Sequence, residues 1–342
     1  MKNILIIKPS SLGDIVQALP ALTALRKSFP DAEISWLVRR EFAPLLENHP
    51  HLTGIIPFDR KFLGKAWYNP SAFASLISFL RSLKRSNFDA VFDFQGLFRT
   101  AFFAWSSRCD KRFGMASARE LAHIFYTHKV PLSRDCIHLV DYYLKIIRAA
   151  GASDFTPEFI LPRSNAAADS INSLLKSHEV NPDNYAVLVP GSAHSDKCWP
   201  VERFAALAEK ISSKFAFSIV ATGTADESPS VEDLKNRALV PITNFAGHTS
   251  LRELIALLRN ARLVVSNDTG PGHIAAALAR PLVLLFGRSN PARVAPYGRD
   301  NCVVAIDPDG RGLLPDSPDP RHSIKAITLD AVFEKVCQQL QT

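Results

Sequence analysis

Four short segments concentrate the side chains that can do chemistry. Lys8-Pro9-Ser10-Ser11-Leu12-Gly13-Asp14 follows an apolar run and opens a helical pattern. Asp14 falls in the first turn of that helix, at the carboxyl end of a strand, where ligands of open α/β sheets bind. The plainer reading is that Ser10, Ser11 or Asp14 caps the helix. Ser266-Asn267-Asp268-Thr269-Gly270-Pro271-Gly272-His273 also follows a strand and opens a helix. Amides at such a helix start, with the helix dipole, attract anions. Gly270 and Gly272 let a phosphate approach the backbone, and Thr269 adds a hydroxyl donor. Pro190–Pro200 offers Ser192, loop amides and the point charge of Lys197. Thr222–Glu227 ends a further strand, with Glu227 either accepting from sugar hydroxyls or capping a helix. Three loops of this kind in the second half argue for a nucleotide-diphosphate ligand there. Neither GxxxxGK[ST] nor GxGxxG occurs, so a nicotinamide cofactor is not expected.

These loops need strands and helices to hold them. Apolar runs without alternation predict buried parallel strands at Lys2–Lys8, Glu33–Val38 and Ala90–Phe94. The same pattern predicts strands at Tyr185–Val189, Phe217–Thr222, Leu263–Ser266 and Pro281–Phe286. Helical spacing appears at Ile15, Leu19, Leu22 and Leu25, over 72–85 and 165–177, and at Val201–Lys214, Gly272–Leu278 and Leu329–Leu340. Strand–helix alternation in both halves points to two doubly wound α/β domains, whose ligands lie at the carboxyl ends of strands. The expected division is 1–160, a linker region over 161–182, a second domain over 183–325, and a terminal helix over 326–342 packing back on the first domain.

Composition narrows the class. The chain has 342 residues, 47% hydrophobic and 21% charged, which suits a folded globular protein of about two domains. No apolar run reaches the ~18 residues of a membrane span, and Ile4–Ile7 is too short for a signal sequence. Five scattered cysteines without a CxxC pair suggest thiols in a reducing cytoplasm. Residues 1–160 hold 21 Lys and Arg against 14 Asp and Glu, so the whole net charge of +7 lies in the first half. An anionic partner is expected there. Nothing resembles a nucleic-acid-binding motif. Asp307-Pro308-Asp309 has metal-site spacing but sits in a Pro-rich stretch and reads as a solvated loop.

The KPSSLGD start, the D-T-G-P-x-H block and the DKxWP loop together resemble the ADP-heptose:lipopolysaccharide heptosyltransferase family, glycosyltransferase family 9, over nearly the whole chain. Phe94-Gln95-Gly96-Leu97 and Ser117-Ala118-Arg119-Glu120 resemble its heptosyltransferase I branch. The resemblance implies a GT-B fold, two Rossmann-like domains facing each other across a cleft. It implies transfer of L-glycero-D-manno-heptose from ADP-heptose to the Kdo of Kdo-lipid A, peripherally at the cytoplasmic face of the inner membrane. By the same resemblance Asp14 is the general base. Ser192, Ala193, Lys197, Glu227, Thr249, Asp268, Thr269, Gly270 and His273 bind the donor, with Lys197 on phosphate, Glu227 on ribose, backbone at Thr249 on adenine and Asp268 on sugar hydroxyls. Ala193 lacks the hydroxyl usual in the family. Ser10, Gly13, Arg60, Lys61, Lys65, Gln95 and Arg119 meet the anionic acceptor. A base in one domain and a leaving-group site in the other imply direct displacement with inversion. No metal and no cofactor are expected, since Lys197 and helix ends can neutralise the diphosphate. The alternatives are a relative using another nucleotide sugar or acceptor, and a nucleotide-binding protein without transferase activity.

Overall fold

Short apolar runs flanked by turn residues form strands, and the longer amphipathic stretches between them form helices that return the chain in parallel. The computed structural model describes all residues except 132–135, 154–155, 310, 313 and 342. It divides into Met1–Pro162 and Arg163–Thr342.

In chain order the first unit runs β1 (Asn3–Ile7), α1 (Leu12–Ser28), β2 (Glu33–Arg39), β3 (Gly54–Phe58), α2 (Arg60–Leu63) and α3 (Pro70–Arg85). It continues β4 (Ala90–Asp93), α4 (Phe98–Ser106), β5 (Arg112–Met115), β6 (His128–Val130) and α5 (Leu139–Arg148). Its six strands form one parallel sheet in the order β3-β2-β1-β4-β5-β6. Leu5, Ile7 and Val91 share a core with Leu83 of α3 and Phe103 of α4. Alternate positions point the other way: Phe94, just past β4, lies 4.9 Å from the ring of Tyr143 on α5, and α5 packs on α1.

The second unit runs α6 (Asn165–Ser177), β7 (Tyr185–Val189), α7 (Val201–Phe215), β8 (Ser218–Ala221), α8 (Ser228–Arg237), β9 (Ile242–Asn244) and α9 (Leu251–Asn260). Then come β10 (Leu263–Asn267), α10 (Gly270–Ala277), β11 (Leu282–Phe286), α11 (Pro291–Val294), β12 (Val303–Ala305) and α12 (Leu329–Gln341). Its parallel sheet has the order β12-β11-β10-β7-β8-β9. Numbered within each unit, both sheets read 3-2-1-4-5-6, so each has a topological switch point where connections diverge. That point falls between β1 and β4 in the first unit and between β7 and β10 in the second.

Two expectations change. The stretch read as a linker carries α6, which packs on α9 within the second unit, with Ser170 Oγ donating to Glu253 at 2.6 Å. The terminal helix α12 was expected against the first domain. Its Val332 and Val336 instead lie in the second unit's core with Ile324, Ile327 and Leu285, because its apolar stripe closes the sheet face beside α7. No helix among the described residues is long and apolar enough to cross a membrane.

Candidate functional site

The loops that carry chemistry leave the strands at the two switch points. In the first unit β1 ends at Ile7 and the chain turns through Lys8–Ser11 into α1. Trp36 Nε1 donates to Lys8 O at 3.1 Å, and Arg39 N donates to Pro9 O at 3.1 Å, fixing this loop to β2. The Ser10–Ser11 peptide is cis. Helix α1 is buried from Gly13 to Leu25 apart from Asp14. Asp14 Oδ2 accepts from Ser11 N at 3.0 Å and Ser11 Oγ at 3.1 Å, so it does close a cap. Lys8 Nζ stands 3.5 Å from the same oxygen and 5.8 Å from the ring centroid of Tyr143. Burial pulls the Lys8 ammonium down, but the Asp14 carboxylate and Tyr143 outweigh it, and its pKa rises above the usual lysine value. The cation stays charged beneath the carboxylate.

Next to β1, β4 pairs Asp93 with Ile7. Asp93 is fully buried and accepts from Gln95 N at 2.9 Å, Gly96 N at 3.2 Å and Tyr126 Oη at 2.7 Å. Burial pushes its carboxyl up against these donors. It shapes the turn that carries Gln95, in which Gly96 has a φ of 66°, the left-handed region that glycine reaches without strain. Arg119 N donates to Gly96 O at 3.0 Å, which docks the Ser117–Glu120 loop on this turn. Arg60, Lys61 and Lys65 stand exposed on and after α2, capped by Asp59, which accepts from Phe62 N at 2.9 Å. Ser10, Gly13, Asp14 and Gln95 thus share the switch point, Arg119 lies beside it, and the α2 cations follow β3, two strands from β1. Sequence reasoning did not single out Asp93 or Arg99. Burial, with Arg60's charge assisting and Glu120's opposing, lowers the Arg99 guanidinium.

In the second unit Asp268 follows β10, with its side chain 9% exposed. Its Oδ1 is 3.2 Å from His273 Nε2 and its Oδ2 is 3.4 Å from Lys197 Nζ. Burial pushes the Asp268 carboxyl up, yet the hydrogen bond and charge of His273 and the charge of Lys197 hold it below the ordinary value. Asn267 ties the loops together: Oδ1 accepts from Trp199 N at 3.1 Å and Nδ2 donates to Pro190 O at 2.7 Å. This fully buried amide sets the spacing between the Lys197 loop and the start of α10. It went unassigned because an Asn inside a polar run looks like any turn residue. Thr269 is the N-cap of α10, with Gly270 first in the helix. A Cβ on Gly272 would meet Leu284 Cδ1 at 2.3 Å, so glycine lets α10 sit close to β11.

Glu227 acts first on its own loop. Its Oε2 accepts from Thr224 N at 2.7 Å and Thr224 Oγ1 at 3.0 Å. Its side chain also lies against Gly191, where a Cβ would come within 2.4 Å of Glu227 Cδ. The loops after β7 and β8 therefore touch. Gly247 N donates to Gly223 O at 3.0 Å, bringing the Thr249 turn to the same rim. Ser192 is half-buried and Ala193 exposed on the β7 loop. Ser192, Lys197, Glu227, Thr249, Asp268 and Thr269 lie on loops at the carboxyl ends of this unit's strands, and Gly270 and His273 lie in the first turn of α10. Asp307 and Asp309 stand apart in an exposed loop. Among the described residues no group of three or more His, Cys, Asp or Glu could hold a metal ion.

The Glycosyltransferase family 9 (heptosyltransferase) model matches residues 76–309. The chain is 27% identical over 339 residues to a lipopolysaccharide heptosyltransferase 1 of Escherichia coli (strain K12), covering 98% of this chain and 99% of the relative. It is 30% identical to one from Pseudomonas aeruginosa, covering 89% and 84%. Among solved structures, an E. coli heptosyltransferase with ADP-2-deoxy-2-fluoro heptose superposes with a TM-score of 0.76 at 26% identity, over 98% of this chain and 99% of that one. With two parallel six-stranded α/β units matching the heptosyltransferase GT-B architecture, this chain belongs to glycosyltransferase family 9 and is a glycosyltransferase.

Proposed function

We propose that this chain is an inverting, metal-independent heptosyltransferase that moves L-glycero-D-manno-heptose from ADP-heptose to the Kdo of Kdo-lipid A, peripherally at the cytoplasmic face of the inner membrane. The observation that carries the reading is the opposite burial of two lysine–carboxylate pairs. In Lys8–Asp14 the carboxylate is the accessible member, 31% exposed over a 4% exposed lysine. In Lys197–Asp268 the lysine is accessible, 28% exposed over a 9% exposed carboxylate. An accessible carboxylate suits a base; an accessible ammonium at a helix start suits a diphosphate.

The acceptor hydroxyl oxygen attacks the anomeric carbon while Asp14 takes its proton. The bond from that carbon to the diphosphate oxygen breaks, and ADP departs with the electron pair. Lys197 and the first amides of α10 stabilise the charge that develops on the leaving oxygens. Asp268, held ionised by His273 and Lys197, accepts from sugar hydroxyls, Glu227 from ribose, and the Thr249 backbone meets adenine. Arg60, Lys61, Lys65 and Arg119, with Ser10, Gly13 and Gln95, receive the anionic acceptor. The reaction is divided between the units: acceptor deprotonation to the first, leaving-group stabilisation to the second.

Incubation with ADP-heptose and Kdo-lipid A, read by ADP release and by the mass of the product lipid, tests the reading. One added heptose per acceptor is expected. ADP binding without turnover would leave a nucleotide-binding protein, and turnover only with another sugar or acceptor would move the specificity elsewhere in the family.

A further inference from the structure

Ten large apolar side chains stand exposed among the described residues, and eight of them lie between Phe62 and Ile124. Three flank the turn from α2 into α3: Trp67 is 85% exposed, Tyr68 57% and Phe73 55%. The Trp67 and Tyr68 rings meet edge to face at 4.6 Å, so they form one projecting aromatic pair. Phe98 and Trp105 are exposed on α4, which packs beside α3. The same region is the most basic in the chain. Residues 60–125 hold eleven Lys and Arg against four Asp and Glu, and residues 60–88 hold six against none. Of the four acids, Asp93 is buried and Glu120 accepts from Phe98 N at 3.2 Å.

An amphipathic ring standing in water among cations gains where its body enters an apolar layer and its N–H or O–H stays at the polar boundary. Cations around it gain from a sheet of phosphates. We propose that the α2–α3 turn, with the exposed faces of α3 and α4, docks on an anionic lipid bilayer, seating Trp67 and Tyr68 in the headgroup layer. The absence of acids over 60–88 matches a surface of uniform negative charge. The inference rests on the proposed lipid-linked acceptor for its purpose; its test needs no acceptor.

The full-length protein is sedimented with phosphatidylcholine vesicles with and without phosphatidylglycerol. Binding that requires phosphatidylglycerol is expected, weakened about tenfold when Trp67→Ser and Tyr68→Ser are combined. Both side chains are exposed, so the variant keeps the fold. Tryptophan emission should shift to the blue on vesicles and be quenched by brominated lipid, and Trp67→Phe should remove most of that change while keeping binding. Failure of the wild type to bind phosphatidylglycerol vesicles overturns the proposal, as does equal binding by the double-Ser variant. Concentration-dependent self-association abolished in that variant would assign the face to a second copy instead. Transfer to a delipidated Kdo acceptor separates the two readings. Transfer without vesicle binding overturns docking alone; vesicle binding without transfer supports docking and overturns the proposed donor and acceptor.

Discussion

The two units place a lysine and a carboxylate at the same point of the same sheet topology, yet bury opposite members. In the first, Lys8 follows the central strand β1 and is enclosed by Trp36, Tyr143 and α1, while Asp14 reaches outward from the first helical turn. In the second, Asp268 follows β10 and is enclosed by His273 and Lys197, while the lysine comes in from the neighbouring loop. A buried ion is tolerated when its partner and hydrogen bonds replace water. Which ion is buried decides which one is left to meet a substrate. One topology thus presents a carboxylate in one unit and an ammonium in the other.

The sharpest way to break this comparison is Asp14→Asn. Transfer should fall by about 10²–10⁴ with ADP binding unchanged. Turnover at the wild-type rate would leave Asp14 as the cap of α1 only. Asp14→Ala alongside it separates the roles, since only the alanine removes the Ser11 hydrogen bonds, and its extra cost should appear in thermal stability at about 1 kcal/mol.

Lys197→Met tests the other unit. Loss of about 10²-fold in kcat, with a smaller rise in donor KM, is expected if the ammonium meets charge on the leaving diphosphate. Unchanged kcat and KM would return Lys197 to a structural role in pairing Asp268.

The acceptor side is tested by replacing Arg60, Lys61 and Lys65 together with alanine. Acceptor KM should rise about tenfold, donor KM should hold, and the salt dependence of acceptor KM should flatten, because exposed charges act over about 10 Å at 0.1 M salt. A normal KM for a delipidated acceptor would remove these three from the acceptor site.

The smallest effect is on stability against pH, and here the pairs should fail at opposite ends. Lys8 has a raised pKa in the folded protein, so its contribution is whole below 10.5 and is lost as pH rises through the higher folded value. Asp268 has a lowered one, so its contribution is whole above 3.8 and is lost as pH falls through the lower folded value. Denaturant midpoints against pH should lose their alkaline slope in Lys8→Met and part of their acid slope in Asp268→Asn. The reverse assignment would contradict the burial pattern.

Much of this molecule is legible in its residues. Central strands bury both faces, so β1, β4, β7, β10 and β11 are continuous apolar runs and can be read directly. The strands that escaped reading are β3, β5, β6, β9 and β12, and all but β5 are sheet edges. An edge strand is half-covered and tolerates Gly54 and Pro57, as β3 does, so its pattern fades into loop. The chemistry-bearing segments were likewise visible, because a polar run with glycine between a strand and a helix has few structural uses. Local sequence cannot express which atoms of distant segments meet. Asn267 holding Pro190 and Trp199, Glu227 lying on Gly191, and the opposite burial of the two ion pairs all depend on neighbours 6 to 77 positions away. Sequence by itself determined the elements, their order and the residue types at the strand ends, since these follow from short-range periodicity and turn chemistry. The tertiary structure alone decided which charged group is enclosed and which is presented, because desolvation depends on everything packed around an ion and not on its place in the chain.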